Sequence, residues 1–171
     1  APGKALAYLS VYILSDYLLL TAEGNSEVMA KLFDKFIITE DVRLENITEI
    51  YSLFSLQGPK LEDLIRNLKG ADLGVTPLKK NSPNKKALDL FIFKEKSDQA
   101  KEKILEAGKI YGIKQVGEEA KEILRIEAGE LRYGIDFDET FSLPETGLDD
   151  WIASETKGCY PGQEVVAKTK T

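Results

Sequence analysis

Histidine is absent from this 171-residue chain, and cysteine, tryptophan and methionine occur once each. Without histidine, no Ser-His or Cys-His dyad can form and no zinc site can rest on imidazole. Any proton transfer falls to carboxylate, lysine, tyrosine or thiol. A single cysteine cannot close an internal disulfide, which points to a reducing compartment such as the cytoplasm. Nor can it hold an iron–sulfur cluster by itself. No apolar run is long enough to span a bilayer, so no membrane partner is expected. A net charge of −6 argues against broad nucleic-acid affinity.

What is present, 43% hydrophobic and 30% charged residues, suits a globular fold with a sizeable core. Leu6 to Leu14 and Leu18 to Ala22, separated by Ser15-Asp16, read as a hairpin. Asn25 offers an N-cap to a helix carrying Val28, Met29, Leu32, Phe33 and Phe36 on one side. Val42 to Ile47 and Tyr51 to Leu56 read as strands, and Gly58-Pro59 opens a helix through Leu68. Ala71 to Pro83, broken by Gly74, Pro77 and Pro83, is the expected boundary between two units. A second series follows, with a strand at Leu88 to Phe93, a helix capped by Ser97, and another helix from Glu118 to Ala128. The expectation is an α+β fold in two layered halves, residues 1–75 and 76–171.

Two places carry chemistry. Lys157-Gly-Cys-Tyr-Pro-Gly-Gln-Glu164 puts the lone thiol beside a bend, since Pro161 suits the second position of a β-turn and Gly162 the third. A lysine two residues away and exposure at a turn are the conditions for a reactive thiolate. A small apolar residue filling space beside a turn fits the same residues. On the Glu118 to Ala128 helix, Ala120, Ile123 and Leu124 mark an apolar face with Glu127 at its centre, just before Gly129 ends the helix. An inward carboxylate at the negative end of the helix dipole needs a partner, unless the last turn frays and Glu127 reaches water. Arg125 points elsewhere on the wheel. Trp151 reads as a core or lid residue whose flat face would also suit a flat heterocycle.

The octapeptide from Lys157 to Glu164 resembles the signature of YgfZ-type folate-binding proteins, a branch of the glycine-cleavage T-protein (aminomethyltransferase) superfamily. Arg125-Ile-Glu-Ala-Gly129, Tyr133-Gly-Ile-Asp136 and Pro144 with Gly147-Leu148 are similar to a block shared across that superfamily. The resemblance implies the aminomethyltransferase folate-binding fold, here expected to lack the C-terminal β-barrel. It implies tetrahydrofolate or a one-carbon derivative as cofactor, and no metal. Its site would comprise Cys159 and Lys157 as catalytic residues, with Glu127, Arg125, Tyr133, Tyr160, Gln163 and Glu164 around the folate. Cys159 and Glu127 are expected to border one cavity. The partners implied are the folate and iron–sulfur client or assembly proteins, including enzymes that modify transfer RNA, without direct nucleic-acid binding.

The resemblance also separates two activities. Aminomethyltransferases carry Gly-x-x-Asp-Asp entering the first strand, and in that register both aspartates are replaced here, by Ala7 and Tyr8. They also carry a Tyr-Thr-Gly-Glu segment whose place is taken by Lys79 to Lys86, without the glutamate. A transferase without its acid lacks the means to manage a proton at the folate nitrogen. The resemblance therefore implies a YgfZ-like protein supporting iron–sulfur cluster assembly or repair. The alternatives are a one-carbon transferase using another acid, such as Asp16 or Glu23, a non-catalytic interaction module, and a thiol-dependent enzyme unrelated to folate.

Overall fold

A computed structural model of the chain describes residues 3–22, 26–68, 75–80, 86–154 and 156–169. Strands β1 (Leu9–Ile13) and β2 (Leu18–Ala22) form the expected antiparallel hairpin, in register from Leu9↔Ala22 to Ile13↔Leu18. Helix α1 (Ser26–Phe36) follows and buries Met29; its expected cap, Asn25, lies outside the described residues. Strand β3 (Tyr51–Gln57) leads into α2 (Leu61–Leu68), then β4 (Val75–Lys80), β5 (Ala87–Phe93) and α3 (Ser97–Gly108). Helices α4 (Glu118–Glu127), α5 (Asp149–Ile152) and α6 (Gln163–Thr169) complete the series.

Strand β5 is the centre. It pairs antiparallel with β3 on one side and β4 on the other, in the order β3-β5-β4. Side chains alternate across a strand, so β5 feeds two cores. Leu88, Leu90 and Ile92 meet Leu61 of α2 and Ala100 and Ile104 of α3. Phe91 meets Tyr12 and Leu19 of the hairpin and Leu78 of β4 on the opposite face. Helices thus cover one face of the sheet and the hairpin covers the other, which is why β5 reads as an almost unbroken apolar run. Each fully buried Leu or Ile contributes about 1.5–3 kcal/mol, so β5 anchors much of the fold.

Three sequence expectations need correction here. Val42 to Ile47 is irregular, with Val42 and Leu44 exposed; alternation alone makes no strand where no neighbour supplies a ladder. Within the expected boundary segment, Val75–Lys80 is a strand, and its sheet takes β3 from before position 75 and β5 from after it. Pro77 is tolerated because β4 is an edge strand, where alternate N–H groups point away from the sheet. Ser97 is the first residue of α3 rather than its cap, and its hydroxyl instead bonds that of Ser52 on β3 at 2.8 Å.

Among the described residues a buried polar contact ties the hairpin to the sheet. The Tyr12 hydroxyl donates to Asp89 Oδ2 in the middle of β5, where Asp89 is 1% exposed. Burial first, and then the Asp89 carboxylate, push the Tyr12 phenol well above its ordinary value of 10.0. The folded chain therefore favours the neutral phenol. That contribution is complete below pH 10.0 and is lost as pH rises toward the folded value. We expect Tyr12→Phe to lower stability by about 1–3 kcal/mol at neutral pH, because it strands a buried carboxylate. Above pH 10.0 the denaturant midpoint of the wild type should fall faster than that of Tyr12→Phe. Parallel alkaline slopes in the two proteins would show that this phenol does not couple to folding.

Candidate functional site

The N-terminal segment and the octapeptide meet. Gly3 has φ +78°, and a Cβ on it would lie 2.7 Å from Cβ of Val165 on α6, so only glycine permits this approach. Residues 4–5 are stitched to the loop at 140–142: Lys4 bridges Ser142, its ammonium donates to the Thr140 carbonyl, and the Ala5 N–H donates to the Phe141 carbonyl at 3.0 Å. Glu145 secures that loop by accepting from the Ser142 hydroxyl at 2.7 Å and N–H at 2.6 Å. Those two bonds hold its carboxyl below the ordinary 4.5.

Between these elements lies a cavity of about 210 Å³. Gly3 to Tyr8 form one wall, the turn at Tyr160, Pro161 and Gly162 another, and Phe137, Leu148 and Ile152 close much of the rest. Tyr8 meets Phe137 edge-on, with ring centroids 6.2 Å apart, and Phe137 meets Tyr133 at 5.5 Å. Burial, followed by the charge of Glu130, raises the Tyr8 phenol. Among the described residues that line the cavity, none is a carboxylate.

The bend in the octapeptide is as its residues predict. Gly162 has φ +87°, and the Gln163 N–H closes onto the Tyr160 carbonyl at 3.2 Å, a type II turn with proline second and glycine third. The Gln163 side-chain carbonyl accepts from the Tyr160 N–H at 3.1 Å and braces the turn. Helix α6 opens directly after this turn, with the Val165 and Val166 N–H groups donating to the Gly162 carbonyl at 3.1 and 3.4 Å. Gln163 thus holds the turn, while Glu164 faces solvent and pairs with Lys168 at 3.1 Å. The thiol of Cys159 is free and exposed. Lys157, expected to favour its thiolate, places its ammonium 4.4 Å from the centre of the Tyr160 ring, a cation–π contact.

Helix α4 presents a different face from the one its wheel suggests. Ile123, Leu124, Ile126 and Glu127 are exposed, and Arg125 is 9% exposed. A buried guanidinium is stable only when its donors are met. Here they reach the Glu122 carboxylate, the Asp136 carboxylate and the Glu130 carbonyl. The Glu130 N–H returns a bond to the Arg125 carbonyl at 3.0 Å, and the Gly129 N–H bonds the Ile126 carbonyl at 3.0 Å, closing the helix as a Schellman motif. Arg125 therefore clamps α4 to the loop that carries Tyr133 and Phe137. Tyr133 donates to Glu139 at 3.2 Å and supports Phe137 from outside the cavity lining. Of the residues expected around the folate, Tyr160 lines the cavity; Glu127, Arg125, Tyr133, Gln163 and Glu164 do not, and neither does Cys159 or Lys157. The expectation that Cys159 and Glu127 border this cavity is not met.

Sequence reasoning passed over Asp89. Its Oδ2 accepts from Tyr12, while its buried Oδ1 has no partner among the described residues. One hydrogen bond to a charged group returns about 1.5–3 kcal/mol, against several for withdrawing a carboxylate from water. Such an acid is kept at a cost. The available signal was a single acid inside the apolar run from Ala87 to Phe93.

No family model matches the chain. Curated proteins named aminomethyltransferase do resemble it. That of Caldanaerobacter subterraneus subsp. tengcongensis is 29% identical over 187 residues, covering 98% of this chain and 50% of its own length. That of Flavobacterium psychrophilum is 31% identical over 133 residues, covering 68% and 37%. That of Thermoanaerobacter pseudethanolicus is 28% identical over 197 residues, covering 98% and 50%. The chain spans about half the length of the curated relatives it matches. These similarities support the glycine-cleavage T-protein superfamily and do not reach to a branch within it.

The clamp on α4 has a pH signature. Arg125 draws the Glu122 carboxyl below its ordinary 4.5, so that stabilisation is complete above 4.5 and fades as pH falls through the folded value. Arg125→Gln should cost about 2 kcal/mol or more at neutral pH, by leaving its partners unmatched. Its stability should also decline less steeply than that of the wild type on acidification, read from urea midpoints across pH. Equal acid slopes would mean that the pair adds nothing to folding.

Proposed function

We propose that the chain binds a reduced folate, with the fused pterin ring system in the cavity between Gly3–Tyr8 and the Tyr160–Gly162 turn. The observation that carries this reading is the composition of those walls. Where the aminomethyltransferase pattern has two aspartates, Ala7 and Tyr8 stand, and both line the cavity. A largely apolar pocket with two tyrosines and Lys4 in its lining suits a flat heterocycle. Its volume of about 210 Å³ lies below the ~300–1,000 Å³ usual for drug-sized ligands, room for one fused ring system rather than the whole cofactor. Tyr8 and Tyr160 supply the phenols, and Leu6 and Ile152 the apolar contact.

Without a carboxylate in the lining, the site favours holding a folate over transferring its one-carbon unit, which supports the YgfZ-like branch. On that reading the protein works in a reducing compartment, the cytoplasm, in support of iron–sulfur enzymes. The exposed Cys159 thiol then faces a protein partner or a sulfur species rather than the ring. Folate-dependent aminomethyl transfer is the second reading. It is favoured by the names of the curated relatives.

Calorimetric titration with 5-formyltetrahydrofolate should give saturable heat. Ala7→Phe, which fills the cavity, should abolish it, and Glu127→Ala, at an exposed position off the lining, should leave it unchanged. A silent wild type removes the proposal, and a loss on Glu127→Ala moves the site. In cells lacking the protein, iron–sulfur enzyme activity should return with the wild type and not with Cys159→Ser. Full rescue by the serine variant would exclude a role for the thiol. Release of a one-carbon unit from an aminomethyl donor would favour the second reading.

A further inference from the structure

The β1–β2 hairpin is covered on one side. Its strands pair with each other and with no other strand among the described residues. Side chains alternate across a strand, so its cross-strand pairs fall into two sets. Ser10↔Thr21 and Tyr12↔Leu19 share one face, where Tyr12 and Leu19 pack against Leu78 and Phe91 of the sheet. Leu9↔Ala22, Val11↔Leu20 and Ile13↔Leu18 share the other. All six of these are aliphatic, and Val11 is 52% exposed, Ile13 83%, Leu18 59% and Leu20 39%. The ribbon thus turns its hydroxyls toward the sheet and its aliphatic side chains toward water, the reverse of what solvation favours. An antiparallel ribbon with one face in water carries polar residues there; this one is patterned for cover on both.

Charge narrows what can cover the open face. Charged residues make up 30% of the chain and leave it a net charge of −6, so like charge opposes self-association over most of the surface. From Ala5 to Ala22 the only charge is Asp16, in the turn between the two strands. We propose that the Leu9, Val11, Ile13, Leu18, Leu20 and Ala22 face is a homodimer interface, covered by the same face of a second copy. Two such faces pack sheet on sheet and bury no charge. With the two ribbons antiparallel, the Asp16 carboxylates lie at opposite ends of the contact. An exposed aliphatic patch of this extent marks an interaction site, and two of them together approach the ~1,000 Å² at which specific association begins. The exposed Ile123 and Ile126 of α4 stand among Glu118, Glu119, Glu122 and Glu127 and offer a second copy no such charge-free face.

Sedimentation equilibrium of the full chain over a hundredfold range of concentration should show a monomer–dimer equilibrium. Ile13→Lys, at a site open to water in the monomer, should weaken the dimer about 10-fold or more while the urea midpoint of the monomer stays where it is. Ile13→Thr, which keeps a β-branched side chain suited to a strand, should weaken it less, and it carries the test if the lysine variant does not fold. Ile126→Lys on α4 should leave the dimer intact. A wild type that stays monomeric throughout overturns the homodimer and assigns the face to a different occupant. A dimer that Ile126→Lys dissociates and Ile13→Lys does not overturns it as well.

Discussion

The hydrogen bond from Tyr12 to Asp89 is the constraint through which the two layers of the molecule communicate. The packing of Leu19 on Leu78 and Phe91 beside it is apolar and could tolerate a small slide. A phenol donating to a carboxylate inside the central strand cannot. It sets how β1 lies across β5 and therefore where the chain just before β1 runs. That stretch, Gly3 to Tyr8, is one wall of the cavity. A buried polar contact remote from the cavity thus helps determine its shape.

The second constraint is the close passage of α6 over Gly3. It brings residues more than 150 positions apart together (Val165 − Gly3 = 162), and the cavity is what remains between them. The octapeptide serves this geometry more directly than it serves chemistry. Proline and glycine make the turn, Gln163 locks it, Tyr160 and Gly162 line the cavity, and Lys157 rests on the Tyr160 ring. Cys159 is left at the surface. A thiol so placed is open to an encounter with another molecule.

Arg125 illustrates how a motif can be read correctly and its members assigned wrongly. The wheel of α4 places Ile123, Leu124 and Glu127 together, so the helix was expected to turn that side inward. Arg125 is instead the inward residue, because Asp136 and the Glu130 carbonyl, both further along the chain, meet its guanidinium. No periodicity argument anticipates a cation as the buried position, since two of its compensating groups, the Asp136 carboxylate and the Glu130 carbonyl, lie outside the helix.

Local patterns carried much of the fold. The hairpin, helices α1 to α4 and the strand at β5 follow from periodicities of two and 3.6 residues, and the Tyr160–Gln163 turn from the stereochemistry of proline and glycine. All are short-range effects, which a sequence states directly. Strand Val75–Lys80 was hidden by Pro77, whose tolerance depends on being at a sheet edge. The irregular path of Val42 to Ile47 depends on the lack of a strand beside it. The burial of Asp89 and Arg125, and a cavity that includes Tyr160 but neither Cys159 nor Glu127, were decided by the tertiary structure alone. Each turns on which distant groups pair with a side chain, and pairing across the fold is energetically invisible until the chain has closed on itself.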